Sequence, residues 1–269
     1  MKKIFISIVV VALLAGCGAS KQGEDKVIHI GASVTPQAEI IKEIIPVLEK
    51  DGYKVELTEF TDYIKPNQAL LDGEIDANFF QHKPFLDDWA AKAGASDKVT
   101  SFPGLIFAPI GLYSTKHTSL MEVADGQVIA VPNDPTNEGR ALKLLEDHGI
   151  ISLKKGVDAK TTLDIATYHK NVKIIEMAAE TCATSIDDVD YAVVNNNNAQ
   201  NAKILDKVIV TESKESDAAK TYGNVIAVQT KHKDDEKIKA LNQALNTEAV
   251  KQFIEEKYKG SVIPLVPYK

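Results

Sequence analysis

The residues best suited to chemistry in this chain of 269 residues gather at Pro132-Asn133-Asp134-Pro135-Thr136-Asn137-Glu138-Gly139-Arg140. They follow an apolar strand pattern at 127–131 and open a helical one, with Asp134 placed to cap the helix and Pro135 at its first position. Free N–H groups and the helix dipole at such an end favour an anion. Arg140 falls in the second turn, where a guanidinium can grip a carboxylate through two parallel hydrogen bonds, which an ammonium cannot do. Of 31 basic residues Arg140 is the only arginine, so a chain that elsewhere uses lysine keeps one planar fork at this position.

Two further groups could line a ligand. In Asp76-Ala77-Asn78-Phe79-Phe80-Gln81-His82-Lys83-Pro84-Phe85, aromatics end a strand, polar donors follow, and Pro84 starts a helix. Aromatic faces pack well against a thioether, although Phe79 and Phe80 alone read as core and a lone His82 as structural. In Tyr191-Ala192-Val193-Val194-Asn195-Asn196-Asn197-Asn198, an apolar strand runs into four asparagines. That tract reads either as a turn or as amides offered to a polar ligand at a strand's carboxyl end, and Asn224 poses the same question. The six histidines are scattered, with no metal-ligand spacing, and no nucleophile elbow, phosphate loop or dinucleotide fingerprint is present. The expectation is a non-enzyme that needs no metal or cofactor.

The elements that must hold these groups alternate between short strands and amphipathic helices from residue 27 onward. Strands are expected at 27–31, 53–60, 76–80, 127–131, 171–177, 190–194, 208–211 and 224–229. Helices are expected after Thr35-Pro36 (with Ile40, Ile41, Ile44, Ile45 and Leu48 inward and a kink at Pro46), at 66–72, 84–93 and 135–148, and through Tyr258. The succession predicts an α/β protein with mainly parallel pairing and ligands at strand carboxyl ends. There are too many strands for one small sheet. Two lobes fit, 27–110 plus 224–269 and 111–223, joined by strands crossing near 109–114 and 222–229.

The N-terminus sets the compartment. Lys2 and Lys3 precede an apolar run too short to span a bilayer, which ends in Leu14-Ala15-Gly16-Cys17. This resembles a lipoprotein signal at 1–16, with lipid on the Cys17 thiol and a polar tether at 17–26. The expected place is the extracytoplasmic face of a cell membrane, held by lipid. A net charge of -7 and a pI near 5.5 argue against a nucleic-acid partner. Cys182 has no second cysteine left to pair with once Cys17 is lipidated.

Taken together, Phe60-Thr61-Asp62-Tyr63, Ile75-Asp76-Ala77-Asn78, Phe80-Gln81-His82-Lys83-Pro84 and residues 131–137 with Gly139-Arg140 resemble the methionine-binding lipoproteins that serve ABC importers. The resemblance covers essentially the whole chain after the signal. It implies a two-lobed periplasmic-binding-protein fold of type II with crossing hinge strands. It also implies an L-methionine ligand, a permease and its ATPase as partners, and a monomer. Carried onto matching positions, Tyr63, Phe80 and His82 form the side-chain pocket, Arg140 binds the α-carboxylate, and Asn195 and Asn224 hold the polar end. Two departures leave a methionine-containing dipeptide or another apolar amino acid open as ligand. The chain reads Glu180-Thr181-Cys182-Ala183-Thr184-Ser185 where the family has a Pro-Arg segment, and no tyrosine follows Asn195. The contrasting class is a surface lipoprotein acting as an adhesin.

Overall fold

In the computed structural model, residues 26–265 except Ala159 are described; the signal at 1–16 and Cys17 lie outside that range. Three βα units come first: β1 (Val27–Ser33), α1 (Gln37–Lys50), β2 (Lys54–Phe60), α2 (Lys65–Asp72), β3 (Ala77–His82) and α3 (Lys83–Lys92). Ile28, Ile30 and Ala32 of β1 bury against Ile40, Ile41, Ile44 and Leu48 of α1, an apolar stripe at helical spacing meeting a buried strand. Ile45, expected inward, is half-buried, and α1 runs unbroken through an exposed Pro46. Thr35 does not cap α1; its hydroxyl lies 3.1 Å from both Glu39 Oε2 and Gln200 Oε1.

After the short β4 (Val99–Ser101) and β5 (Ile106–Phe107), the chain crosses into a second lobe. There it forms β6 (Gly111–Tyr113), β7 (Val128–Pro132), α4 (Pro135–Asp147), the β8 (Ile151–Leu153) and β9 (Ile165–Tyr168) hairpin, and β10 (Lys173–Met177). It continues through α5 (Ala179–Thr184), β11 (Tyr191–Val194), α6 (Asn196–Asn201), β12 (Val208–Thr211) and α7 (Asp217–Thr221). It then returns as β13 (Asn224–Gln229), α8 (Glu236–Leu245), α9 (Glu248–Tyr258) and β14 (Ile263–Pro264).

The first sheet runs β14-β5-β13-β3-β1-β2 with β4 also on β13; the second runs β10-β7-β11-β6-β12. Pairing is mixed rather than mainly parallel. The βαβ crossovers give parallel β1–β2, β1–β3, β7–β10 and β7–β11 pairs, as a covering helix requires. The strands entering and leaving the lobes, β5, β6, β12, β13 and β14, pair antiparallel. Sequence periodicity carries no information about that direction. Each lobe has its own core: around α1, β1 and β3 in the first, around α4, β7 and β11 in the second.

The four-asparagine tract is not a turn. Asn195 is the extended N-cap of α6, and Asn196, Asn197 and Asn198 form its first turn, all buried. Where the lobes face each other, amides can be buried because partners exist on both sides. The Glu180–Ser185 departure is α5, whose Cys182 packs fully buried in the second lobe's core. Burial pushes that thiol up to about 12, so it is inert at neutral pH. Among the described residues no helix is long and apolar enough to cross a membrane.

Candidate functional site

Strand ends and helix starts from both lobes converge on one narrow pocket. It is lined by Tyr63, Phe80, His82, Arg140, Asn195 and Asn224, the six residues singled out above, and also by Phe85, Gln81, Ala108 and Asn137. Tyr63 comes from the turn after β2, Phe80 and His82 from the end of β3, and Asn224 from the start of β13, which pairs with His82. Asn137 and Arg140 come from the first two turns of α4, and Asn195 from the end of β11.

One wall is aromatic. The rings of Tyr63, Phe80 and Phe85 sit 5.8–5.9 Å apart in tilted and edge-to-face pairs, the arrangement their quadrupoles favour. The Tyr63 phenol donates to Asn197 Oδ1 at 2.6 Å, linking first lobe to second. Burial holds that phenol well above its ordinary pKa, so it is a neutral donor.

Adjoining it, with the His82 ring 6.2 Å from that of Phe85, is a chain of amides and one imidazole. The Phe85 N–H donates to His82 Nδ1 at 3.2 Å; a backbone N–H can only donate, so the neutral ring carries its proton on Nε2. That Nε2 lies 3.2 Å from Asn137 Oδ1, which also accepts from Asn195 Nδ2 at 2.8 Å. Asn137 Nδ2 in turn donates to Asp134, whose carboxylate accepts from the Asn137 N–H as the helix cap. Burial, reinforced by the Arg140 charge, pulls His82 down to about 3, so the ring is uncharged. Asn195 Oδ1 is left buried with no hydrogen-bond partner. Asn224 Oδ1 accepts from buried Gln37 Nε2 at 2.7 Å, which leaves its own Nδ2 unengaged by that bond.

Arg140 lines the pocket, yet its fork has an internal partner. Nε donates to Glu212 Oε1 at 2.7 Å, and Nη2 donates to Glu212 Oε2 and to the Ala108 carbonyl, the latter at 3.1 Å. The guanidinium also stacks 4.6 Å from the Tyr222 ring centroid and 5.6 Å from that of Phe107. What remains for a ligand is Nη1, not the two-pronged face that the sequence suggested. Glu212 was missed because it lies 72 residues from Arg140, in a polar stretch after β12 with no motif around it. Asn137 stood inside the quoted motif, but nothing in the sequence distinguished it from Asn133.

Among the described residues no group of His, Cys, Asp and Glu could hold a metal ion.

Two α/β lobes joined by antiparallel crossing strands and meeting over one mixed aromatic and polar pocket define a binding protein of the two-lobed periplasmic type. The chain belongs to the NlpA lipoprotein family, whose model matches residues 28–266. It is 35% identical to the methionine-binding lipoprotein MetQ of Bacillus subtilis, over 98% of this chain and 99% of that one. It is 39% identical to the D-methionine-binding lipoprotein MetQ of Escherichia coli, over 93% and 92%. A solved nutrient-binding protein from Burkholderia cenocepacia, bound to methionine, superposes with a TM-score of 0.81 at 39% identity, covering 89% of this chain and 100% of that one.

Proposed function

We propose that this protein is the substrate-binding component of an ABC importer. In this reading it is a monomer anchored by lipid on Cys17 at the extracytoplasmic face, binds L-methionine between its lobes, and delivers it to the permease and its ATPase. The lobes are 27–110 plus 224–269 and 111–223, and closure is a hinge motion about the crossings. The observation that carries this reading is one pocket holding both a wall of three aromatic rings and a single guanidinium beside a buried, partnerless amide oxygen. The rings take an apolar thioether side chain, Arg140 Nη1 and Asn224 Nδ2 take the α-carboxylate, and Asn195 Oδ1 takes the α-ammonium. The names of the Bacillus and Escherichia relatives and the methionine-bound Burkholderia structure support methionine as the ligand. The family and the names of the relatives support a role in binding rather than turnover.

Mass spectrometry of the protein purified without denaturation tests the reading. The expected result is release of methionine in near-stoichiometric amount. Release of a dipeptide or of another amino acid would replace methionine as ligand, and a protein that neither carries nor binds any amino acid would overturn the reading.

A further inference from the structure

Among the described residues Arg140 is the only charged side chain that lines the pocket, since His82 is held neutral. Its charge is already balanced by Glu212, which approaches from outside the pocket lining. The side chains of the pair are largely buried, 2% and 9% exposed, with Arg140 and Glu212 also bordering a second, solvent-open cavity on the far side of the guanidinium. Glu212 is itself fixed at the crossings: its Oε2 accepts from the Ile110 N–H at 2.9 Å, and its own N–H donates to the Ile110 carbonyl at 3.1 Å. The other nearby carboxylate, Asp134, is half-buried and spent on Thr136, Asn137 and the start of α4.

Burying net charge is costly, so a closed pocket favours the ligand that leaves its total charge at zero. With Arg140 and Glu212 both ionised, that ligand is a zwitterion. An anion of the same shape would leave one uncompensated negative charge. We propose that Glu212 sets the charge class of the ligand: by neutralising Arg140 from behind, it makes the pocket select net-neutral amino acids over net-anionic carboxylic acids. The inference rests on the methionine reading and adds to it the residue responsible for this discrimination.

The test is a ratio. L-methionine and its α-hydroxy acid analogue share the carboxylate, the thioether and a polar group at the α-carbon, but differ by one unit of charge. Any damage that a substitution does to Arg140's aim affects both ligands and cancels in the ratio of their dissociation constants. Both are titrated calorimetrically into ligand-stripped wild type, Glu212→Gln and Glu212→Asp. Glu212→Gln is expected to shift the ratio toward the hydroxy acid at least tenfold, and Glu212→Asp, which keeps the charge, to hold it near wild type. A Glu212→Gln ratio within a factor of two of wild type, with both ligands binding, overturns the assignment of Glu212 and leaves the methionine reading standing. Failure of wild type to bind either ligand overturns both.

Should Glu212→Gln not fold, wild type alone decides, by titration in two buffers of different ionisation heat. The hydroxy acid is expected to bind with uptake of a proton and L-methionine with none. Hydroxy acid binding as tightly as methionine with no proton uptake would overturn the proposal.

Discussion

His82 and Asn137 meet across the cleft, the imidazole Nε2 of one lobe 3.2 Å from the amide oxygen of the other, while Nδ1 accepts from the Phe85 N–H, a bond that requires a neutral ring. A protonated His82 would place a buried charge beside Arg140. Burial first, and then the Arg140 charge, hold its pKa near 3, below the 6.5 of a hydrated histidine, so the stability that depends on the neutral ring is complete above pH 6.5 and is lost as pH falls from there toward 3. The expected outcome is that His82→Gln, which has no proton to gain, flattens the fall in melting temperature between pH 6.5 and 4. Parallel acid-side slopes for wild type and variant would contradict it.

Glu138, the next residue along α4, behaves in the opposite sense. Burial first, and then the Glu176 carboxylate, raise it to about 7 although the Thr162 N–H donates to it. A carboxyl raised above its unfolded value stabilises below about 4.5 and loses that contribution as pH rises through 7. Glu138→Gln keeps the acceptor for Thr162 and cannot ionise. It should therefore raise the melting temperature at pH 8 and leave it nearly unchanged at pH 4. Thermal melts at the two pH values check this, and destabilisation at pH 8 would count against it.

Tyr63→Phe removes the phenol that donates to Asn197 while keeping the ring against Phe80 and Phe85. One neutral hydrogen bond is worth about 0.5–1.5 kcal/mol net, so ligand affinity should fall about two- to tenfold. Because the bond joins the lobes, the loss should appear mainly as faster dissociation. Stopped-flow release measurements with an unchanged off-rate would show that this bond does not hold the lobes together.

How much of this site could be read beforehand differed residue by residue. Asp134 and Arg140 were legible because helix capping is local: Asp134 caps α4 through the Asn137 N–H, and a lone arginine stands out against lysines. The aromatic wall was half legible, since Phe80 at a strand end cannot be told from core until Tyr63 and Phe85 are seen around it. Glu212 was not legible, because its meaning comes from a tertiary approach of β12's exit to α4. Nor was the β8–β9 hairpin, whose three- and four-residue strands are mostly part-exposed and too short for a period-two pattern. The asparagine tract stayed ambiguous in sequence, because asparagine's turn preference competes with burial between lobes, where Asn196 Nδ2 finds the Ser261 carbonyl at 3.0 Å.

Arg140→Lys should bind ligand nearly as badly as Arg140→Ala. One ammonium cannot serve the Glu212 carboxylate, the Ala108 carbonyl and a ligand carboxylate together, as the guanidinium's separate N–H groups can. Losing a charge-assisted hydrogen bond of this kind costs about 1.5–3 kcal/mol, or about ten- to a hundredfold in affinity. The buried pair also makes Arg140→Ala costly to the unliganded fold. Stranding Glu212 without its partner is worth about 3–5 kcal/mol, which thermal melts of the stripped variants read as a large drop. Arg140→Lys binding within threefold of wild type would remove Arg140 from the ligand contacts.

The central claim, one pocket that takes an amino acid by its charged end and an apolar side chain by three rings, is tested most directly by competition calorimetry. L-methionine and glycine share the zwitterion and differ only in the side chain set against Tyr63, Phe80 and Phe85. Burying a side chain of that size contributes about 1.5–3 kcal/mol, so methionine should bind roughly ten- to a hundredfold more tightly than glycine. Equal affinity for the two would contradict the account.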